Sequence, residues 1–124
     1  MLQPGYDSWQ LMNILGENCV QNNTLKDCDG SLKQYAHEYK NYQNNLIKEQ
    51  LKKKNNLSVW SPSCVIHCYW QNEQNSPNWQ VPENSGNTID LIIKEYLQSH
   101  GKYQVKLIDD EDWPVNGKCA NLNE

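Results

Sequence analysis

The sequence has 124 residues and a formal net charge of -4, and all eleven of its positive side chains are lysine. An acidic chain without arginine is a poor match for a surface that reads phosphates, which argues against nucleic acid as a partner. Hydrophobic residues make up 37% of the chain, phenylalanine is absent and the mean hydropathy is -0.91, so any core is thin for an independent domain.

The first predicted elements are a short helix and a polar loop. Apolar residues between Asp7 and Leu15 follow a Pro-Gly turn, which predicts a short buried helix. The polar stretch 16–29 contains Cys19 and Cys28, which are close enough in sequence for a local disulfide to close the loop.

The clearest periodicity predicts an amphipathic helix over residues 31–54. Ser31 and Gln34 stand at the spacing of a capping box, which places the start of the helix. We expect one apolar stripe of this helix to pack against a sheet. The stripe consists of Leu32, Tyr35, Tyr39, Tyr42, Leu46 and Leu51.

The second half of the chain alternates between strand and helix patterns. A short apolar run over 57–60 predicts a strand, followed by the loop 61–68 and a long polar surface loop over 71–86. A helix is predicted over 88–99, with Gly101 just past its end, and an alternating strand pattern follows. This order is typical of an α/β protein, with helices packed on a small, partly parallel sheet.

The cysteine content indicates an oxidising compartment. Five cysteines are many for a short cytosolic chain, and sequons at Asn22 and Asn56 agree weakly with secretion. No apolar run is long enough to span a bilayer, and the first ten residues lack the features of a signal peptide. We therefore expect a secreted protein, or one of the secretory-pathway lumen, whose signal peptide lies outside this chain.

Two stretches contain candidate catalytic residues. Asp7 lies in YDSWQ, before a predicted helix, and His67 lies in SPSCVIHC, on a loop after a predicted strand. Hydrolases of the nucleophile-elbow type have their triad acid and then their triad histidine in this order, each after a strand. Spacing alone is weak support, because a histidine on a loop is more often part of the polar surface.

The segments YDSWQ, SPSCVIHC, NTIDLIIKEYL and VKLIDDEDWPVNGKC, in this order, resemble the C-terminal portion of the pectin acetylesterase family, which includes Notum-type carboxylesterases. The resemblance covers nearly the whole chain. It implies an α/β-hydrolase fold, with Asp7 as the acid and His67 as the base of a Ser-His-Asp triad. Asp7 would then orient the imidazole, and His67 would take the proton of the attacking serine.

The nucleophile of that family lies on a Gly-x-Ser-x-Gly turn, and these 124 residues contain no such sequence. Ser8, Ser61 and Ser63 lack the flanking glycines that permit the sharp turn. The resemblance therefore implies a chain that has the acid and the base but not the attacking atom, and that is inactive alone.

Zinc binding is an alternative role for the residues of the histidine loop. Cys64, His67, Cys68 and Cys119 are possible ligands, but their spacing differs from that of paired Cys-x-x-Cys sites. An oxidising environment instead favours a disulfide from Cys64 or Cys68 to Cys119. We predict no cofactor and no metal.

Tryptophans near the histidine loop are candidate substrate contacts. Trp70 and Trp79 are placed to stack on a sugar ring or to line an acyl pocket, whereas Trp9, Trp60 and Trp113 are expected to be structural.

The interpretation that follows is a single partial domain over residues 1–124, the C-terminal portion of an α/β-hydrolase-like fold. When complete, it would hydrolyse O-acyl esters, with acetyl as the family's default, on an acylated polysaccharide or an acylated protein. Two other interpretations stay open. The chain is a noncatalytic extracellular binding protein that retains the scaffold, or it is one chain of an esterase split between two polypeptides.

Overall fold

The structure is a computed structural model that describes residues 1–21, 24–67 and 79–116. Helices and short strands alternate in the described part of the chain, in agreement with the predicted α/β class. The elements are β1 (Tyr6–Asp7), α1 (Ser8–Asn13), α2 (Gly30–Lys53), β2 (Val59–Ser61), β3 (Val65–Ile66), α3 (Ile89–Gln98) and β4 (Lys106–Ile108).

The strands pair in parallel. β1 pairs with β3, with Tyr6 opposite Val65, and β2 pairs with β4. Upstream of β1, Leu2 forms a further parallel bridge with Trp60. The stretch 59–66 therefore lies between the N-terminal segment on one side and β4 on the other. β1 and β3 were not predicted, because a strand of two residues is too short to show an alternating pattern.

The helix α2 turns a different face to the interior from the one that its tyrosine spacing predicts. Tyr35, Tyr42 and Leu46 are 45%, 66% and 46% exposed, so much of the predicted stripe faces solvent. The buried face consists of Ala36, Lys40, Asn44, Ile47 and Leu51. The polar members of this face can be buried because the segment after β4 supplies hydrogen-bond partners for them.

The ends of the two longer helices differ in how well they were predicted. The N-cap of α2 is Asp29, whose side chain accepts from the Leu32 backbone N–H at 2.9 Å, so the capping box predicted at Ser31 is wrong. The predicted end of α3 is confirmed: Gly101 has a φ of 74° and donates its N–H to the Tyr96 carbonyl at 3.0 Å.

Three small clusters form the core of the part of the chain that the structure describes. The first joins α1, β1, β3 and the disulfide loop, and contains Tyr6, Leu11, Val20, Leu25, Cys28, Ala36, Val65 and Trp113. The second lies around β2 and α3, and contains Trp60, Cys64, Ile66, Trp79, Val81, Ile89, Ile92 and Val105. The third contains Ile47, Leu51 and Val59. The burial of Trp79 and Val81 corrects part of the predicted surface loop over 71–86, of which residues 71–78 lie outside the described residues.

The predicted disulfide between Cys19 and Cys28 is confirmed, and it closes the loop between α1 and α2. Cys64 is also disulfide-bonded, and its partner lies outside the described residues. The proposed link from Cys64 or Cys68 to Cys119 thus stays a prediction, because Cys68 and Cys119 are not described. None of the described helices is long and apolar enough to cross a membrane.

Candidate active site

Asp7 and His67 meet at one edge of the β1–β3 pair. Asp7 is the last residue of β1 and lies opposite Ile66, the last residue of β3, and His67 follows directly. Parallel strands bring their carboxyl ends to the same edge, so the two side chains project from neighbouring positions. His67 Nδ1 lies 3.1 Å from both Oδ1 and Oδ2 of Asp7.

The Asp7 carboxylate is fixed from several directions. Its side chain is only 6% exposed. Its Oδ1 accepts from the backbone N–H of Gln10 at 3.0 Å, which makes Asp7 the N-cap of α1, and its Oδ2 accepts from Gln3 Nε2 at 3.4 Å. These donors hold the carboxylate in place independently of the histidine.

The His67 ring is open on the side away from Asp7. The side chain is 48% exposed. When Nδ1–H donates to the carboxylate, the imidazole is held in the tautomer that leaves Nε2 unprotonated and able to accept a proton. Among the described residues, Nε2 has no hydrogen-bond partner. The pair therefore has the geometry of a base held by its orienting acid.

Trp9 lies beside this histidine. The two ring centroids are 5.9 Å apart, and the ring planes are tilted by 32°. Trp9 is 50% exposed, whereas Trp60 and Trp113 are buried in the core, as expected for structural residues. Trp79 is only 2% exposed and belongs to the core, so the expectation that it contacts substrate is wrong. Trp70 lies outside the described residues.

Tyr39 lies close enough to Asp7 to feel its charge, which the sequence did not predict. Burial and the charge of Asp7 raise the pKa of Tyr39 to about 12, so its hydroxyl stays protonated at neutral pH. This hydroxyl has no hydrogen-bond partner among the described residues. Tyr39, Gln3 and Gln10 also line one end of a surface groove of about 470 Å³ that runs along α2 to Leu57.

Among the described residues, Ser61 and Ser63 do not complete a triad with this histidine. Ser61 and Ser63 are buried, and neither is hydrogen-bonded to His67. Ser63 Oγ instead donates to Asp109 Oδ2 at 2.8 Å. Ser8 is 7% exposed and is the first residue of α1, directly after the N-cap Asp7.

One of the four predicted zinc ligands is not available for metal binding. Cys64 is disulfide-bonded, so it has no thiolate to offer, and Cys68 and Cys119 lie outside the described residues. Among the described residues, a separate group of Glu17, Cys19 and Cys28 lies within metal-binding distance. Its two cysteines are joined to each other, so this group likewise supplies no thiolate.

The chain is similar to one known protein family. The model of the family described as Pectinacetylesterase matches residues 1–120, which include both Asp7 and His67. No curated protein and no solved structure matches the chain.

Proposed function

Because the chain belongs to the pectinacetylesterase family, we propose that it is the part of a serine carboxylesterase that contains the acid Asp7 and the base His67. The observation that carries this proposal is the paired contact of 3.1 Å from His67 Nδ1 to both carboxylate oxygens of Asp7. The half-exposed imidazole and the buried carboxylate support the same roles, because the base must reach substrate and its partner need not.

In the proposed reaction, His67 Nε2 takes the proton of a serine hydroxyl as the serine oxygen attacks the ester carbonyl. Collapse of the tetrahedral intermediate breaks the bond to the alcohol, which leaves with the proton that His67 returns. Water then attacks the acyl-serine with His67 again as base, and the carboxylic acid and the free serine result. Asp7 holds the tautomer and stabilises the imidazolium in both steps.

We further propose that the serine and the oxyanion hole come from residues outside these 124. On this view the chain is one partial domain of an α/β-hydrolase-like fold, and it is inactive alone. The family favours an O-acetyl ester of a polysaccharide as substrate, in a secreted enzyme. The Cys19–Cys28 disulfide supports secretion.

Two experiments test this proposal. The purified chain should hydrolyse an acetyl ester no faster than a His67→Ala variant does, and it should not react with a fluorophosphonate probe for activated serines. Turnover by the native chain that His67→Ala abolishes would overturn the predicted inactivity.

The second experiment supplies the missing serine. The coding sequence upstream of Met1, if it encodes a Gly-x-Ser-x-Gly turn in frame, is expressed together with this chain. We expect acetylesterase activity and probe labelling, both lost in His67→Ala and retained in the surface control Lys48→Met. A folded protein with that serine and no activity would contradict the proposal. An upstream stop codon, together with binding of acetylated pectin without hydrolysis, would favour the noncatalytic alternative.

A further inference from the structure

The acidic segment Asp109–Asp112, directly after β4, contacts both the strand that carries Asp7 and the loop that leads to His67. It consists of four consecutive acidic residues, and a charge run of this kind is usually solvated. In the structure, Asp109 is buried at 3% exposure, and the side chain of Asp112 pairs with the fully buried Lys40 of α2. The segment is therefore part of the packing between α2 and the strands.

Lys40 connects α2 to this segment from a fully buried position. Its Nζ donates to the Asp110 carbonyl at 2.6 Å, the Glu111 carbonyl at 3.0 Å and Asp112 Oδ1 at 2.7 Å. These three acceptors use all the donors of the ammonium group, which is the condition for burying the charge. A Cβ at Gly5 would lie 2.9 Å from Lys40 Cγ, so the N-terminal segment packs directly on the lysine stem.

Tyr6, the neighbour of Asp7 on β1, contacts the same region. Its hydroxyl accepts from the Trp113 backbone N–H at 3.0 Å and lies 2.6 Å from His37 Nδ1. The ring is completely buried, and Lys40 Nζ lies 5.6 Å from its centroid. β1 is thus held at Tyr6 by contacts with α2 and with the chain just after the acidic segment.

Asp109 holds the loop that leads to His67, the residue that pairs with Asp7. Its Oδ2 accepts from Ser63 Oγ at 2.8 Å and from Asn116 Nδ2 at 3.0 Å, and its backbone N–H donates to the Ser61 carbonyl at 2.8 Å. Ser61 is the last residue of β2, and Ser63 lies between β2 and β3, in the stretch that leads to His67. All three side chains, of Asp109, Ser63 and Asn116, are buried.

We propose that the acidic segment is a positioning element that sets β1 and the histidine loop at the separation that the Asp7–His67 hydrogen bond requires. The inference rests on the proposed function, in which this bond matters. β1 and β3 pair through only two residues each, which is little to fix two side chains to the accuracy that a catalytic pair needs. A third segment attached to both sides supplies the missing constraint.

The tautomer of His67 is the measurement that separates positioning from general stability. In the intact protein labelled with 15N-histidine at pH 8, the nitrogen shifts of His67, assigned by their loss in His67→Ala, should report the Nδ1–H form. Ser63→Ala and Lys40→Met should each lose this form in favour of Nε2–H or a mixture. The control Lys48→Met removes an exposed contact of 2.6 Å to Asp110 Oδ2 and should keep the Nδ1–H form.

The outcomes are distinguishable. Loss of the Nδ1–H form in folded Ser63→Ala, with its retention in Lys48→Met, supports the positioning role. If Ser63→Ala and Lys40→Met both fold and keep the wild-type tautomer, the proposal is overturned. Should Lys40→Met not fold, Ser63→Ala decides alone, because it removes only a hydroxyl. A wild-type protein without the Nδ1–H form would instead contradict the Asp7–His67 pair on which the proposed function depends.

Discussion

Asp7 is the residue at which local structure and proposed chemistry coincide. One oxygen accepts from the Gln10 backbone N–H and caps α1, while both oxygens face His67 Nδ1. The cap gives the carboxylate a fixed orientation without the histidine, since the helix itself supplies the donor. The pairing of an acid and a helix start in YDSWQ was visible in the sequence, but the distance to His67 was not.

Two substitutions at Asp7 separate the cap from the contact with His67. Asp7→Ala removes the acceptor for the Gln10 N–H, and we expect it to lower the free energy of unfolding by about 0.5–2 kcal/mol. Asp7→Asn keeps an acceptor oxygen and should lower it by less. Urea denaturation at pH 8 measures the free energy of unfolding of both variants. His67→Ala serves as the control, because it removes the contact between Asp7 and the imidazole and leaves the helix cap in place. Equal losses in the two Asp7 variants would contradict the capping role.

Glu17 is a buried carboxyl group in an environment that disfavours its charged form. It is 2% exposed, and neither carboxylate oxygen has a hydrogen-bond partner among those residues. One of its carboxylate oxygens lies within 4.8 Å of the sulfurs of Cys19 and Cys28, which do not solvate a charge. Burial therefore raises the pKa of Glu17 above its ordinary value of 4.5.

The raised pKa predicts how Glu17→Gln changes stability with pH. Below pH 4.5 the carboxyl is protonated in the folded and the unfolded chain, so wild type and variant should differ little. As the pH rises, the unfolded chain releases this proton before the folded one does, and wild type loses stability relative to the variant until the raised pKa is passed. Unfolding at pH 4 and pH 7 measures the difference, with exposed Glu49→Gln as control. If wild type and Glu17→Gln differ in the free energy of unfolding by the same amount at both pH values, the raised pKa of Glu17 is contradicted.

At the scale of elements, α2 shows why a periodic pattern predicts a helix more reliably than its buried face. The apolar spacing correctly predicts a long helix here, but Tyr42 is 66% exposed while Lys40 is fully buried. Tyrosine has a polar end that tolerates solvent, and lysine can be buried when all its donors are matched. The matching acceptors are about seventy residues away in sequence, so no local pattern reveals them.

The start of α2 depends on Asp29, and its contribution should depend on pH. The hydrogen bond from the Leu32 backbone N–H, and then the one from the Ser31 hydroxyl, lower the pKa of Asp29. A lowered pKa means that the stabilisation is present above the ordinary value of 3.8 and is lost as the pH falls through the lowered one.

We therefore expect Asp29→Ala to lower the thermal midpoint at pH 7, and by more than Ser31→Ala does. The gap between wild type and Asp29→Ala should narrow in strongly acid solution, where the carboxylate is protonated. Circular dichroism melts across the pH range test this. A larger loss in Ser31→Ala would restore the capping box that the sequence predicts.

At the scale of the whole molecule, the α/β class and the local disulfide could be predicted from sequence, whereas the sheet pairing could not. The class follows from the order of helix and strand patterns, and Cys19 and Cys28 are close in sequence. The pairing of Tyr6 with Val65 joins segments far apart in sequence through two-residue strands, which leave no pattern to read. The contact between Asp7 and His67 depends on that pairing, so the order of the two residues suggested it only weakly and the family resemblance was needed to support it.

The small clusters make the Cys19–Cys28 bond important for the stability of the whole chain. Cys28 belongs to the same cluster as Tyr6 and Val65, the residues that pair β1 with β3. Closing a loop of this length is worth about 2–4 kcal/mol, a large part of the about 5–15 kcal/mol of a typical domain.

The double variant Cys19→Ser/Cys28→Ser should therefore unfold at clearly lower urea concentration than wild type, with the Cys64 disulfide left intact. Because the loop packs against the cluster that holds β1, the loss should reach Asp7, and the Nδ1–H signal of His67 should disappear at lower urea than in wild type. Substitution of exposed Ser85 by alanine serves as control for a surface hydroxyl. If the midpoint is unchanged in the double variant, packing of Leu11, Val20 and Leu25 alone holds the loop and the disulfide is dispensable.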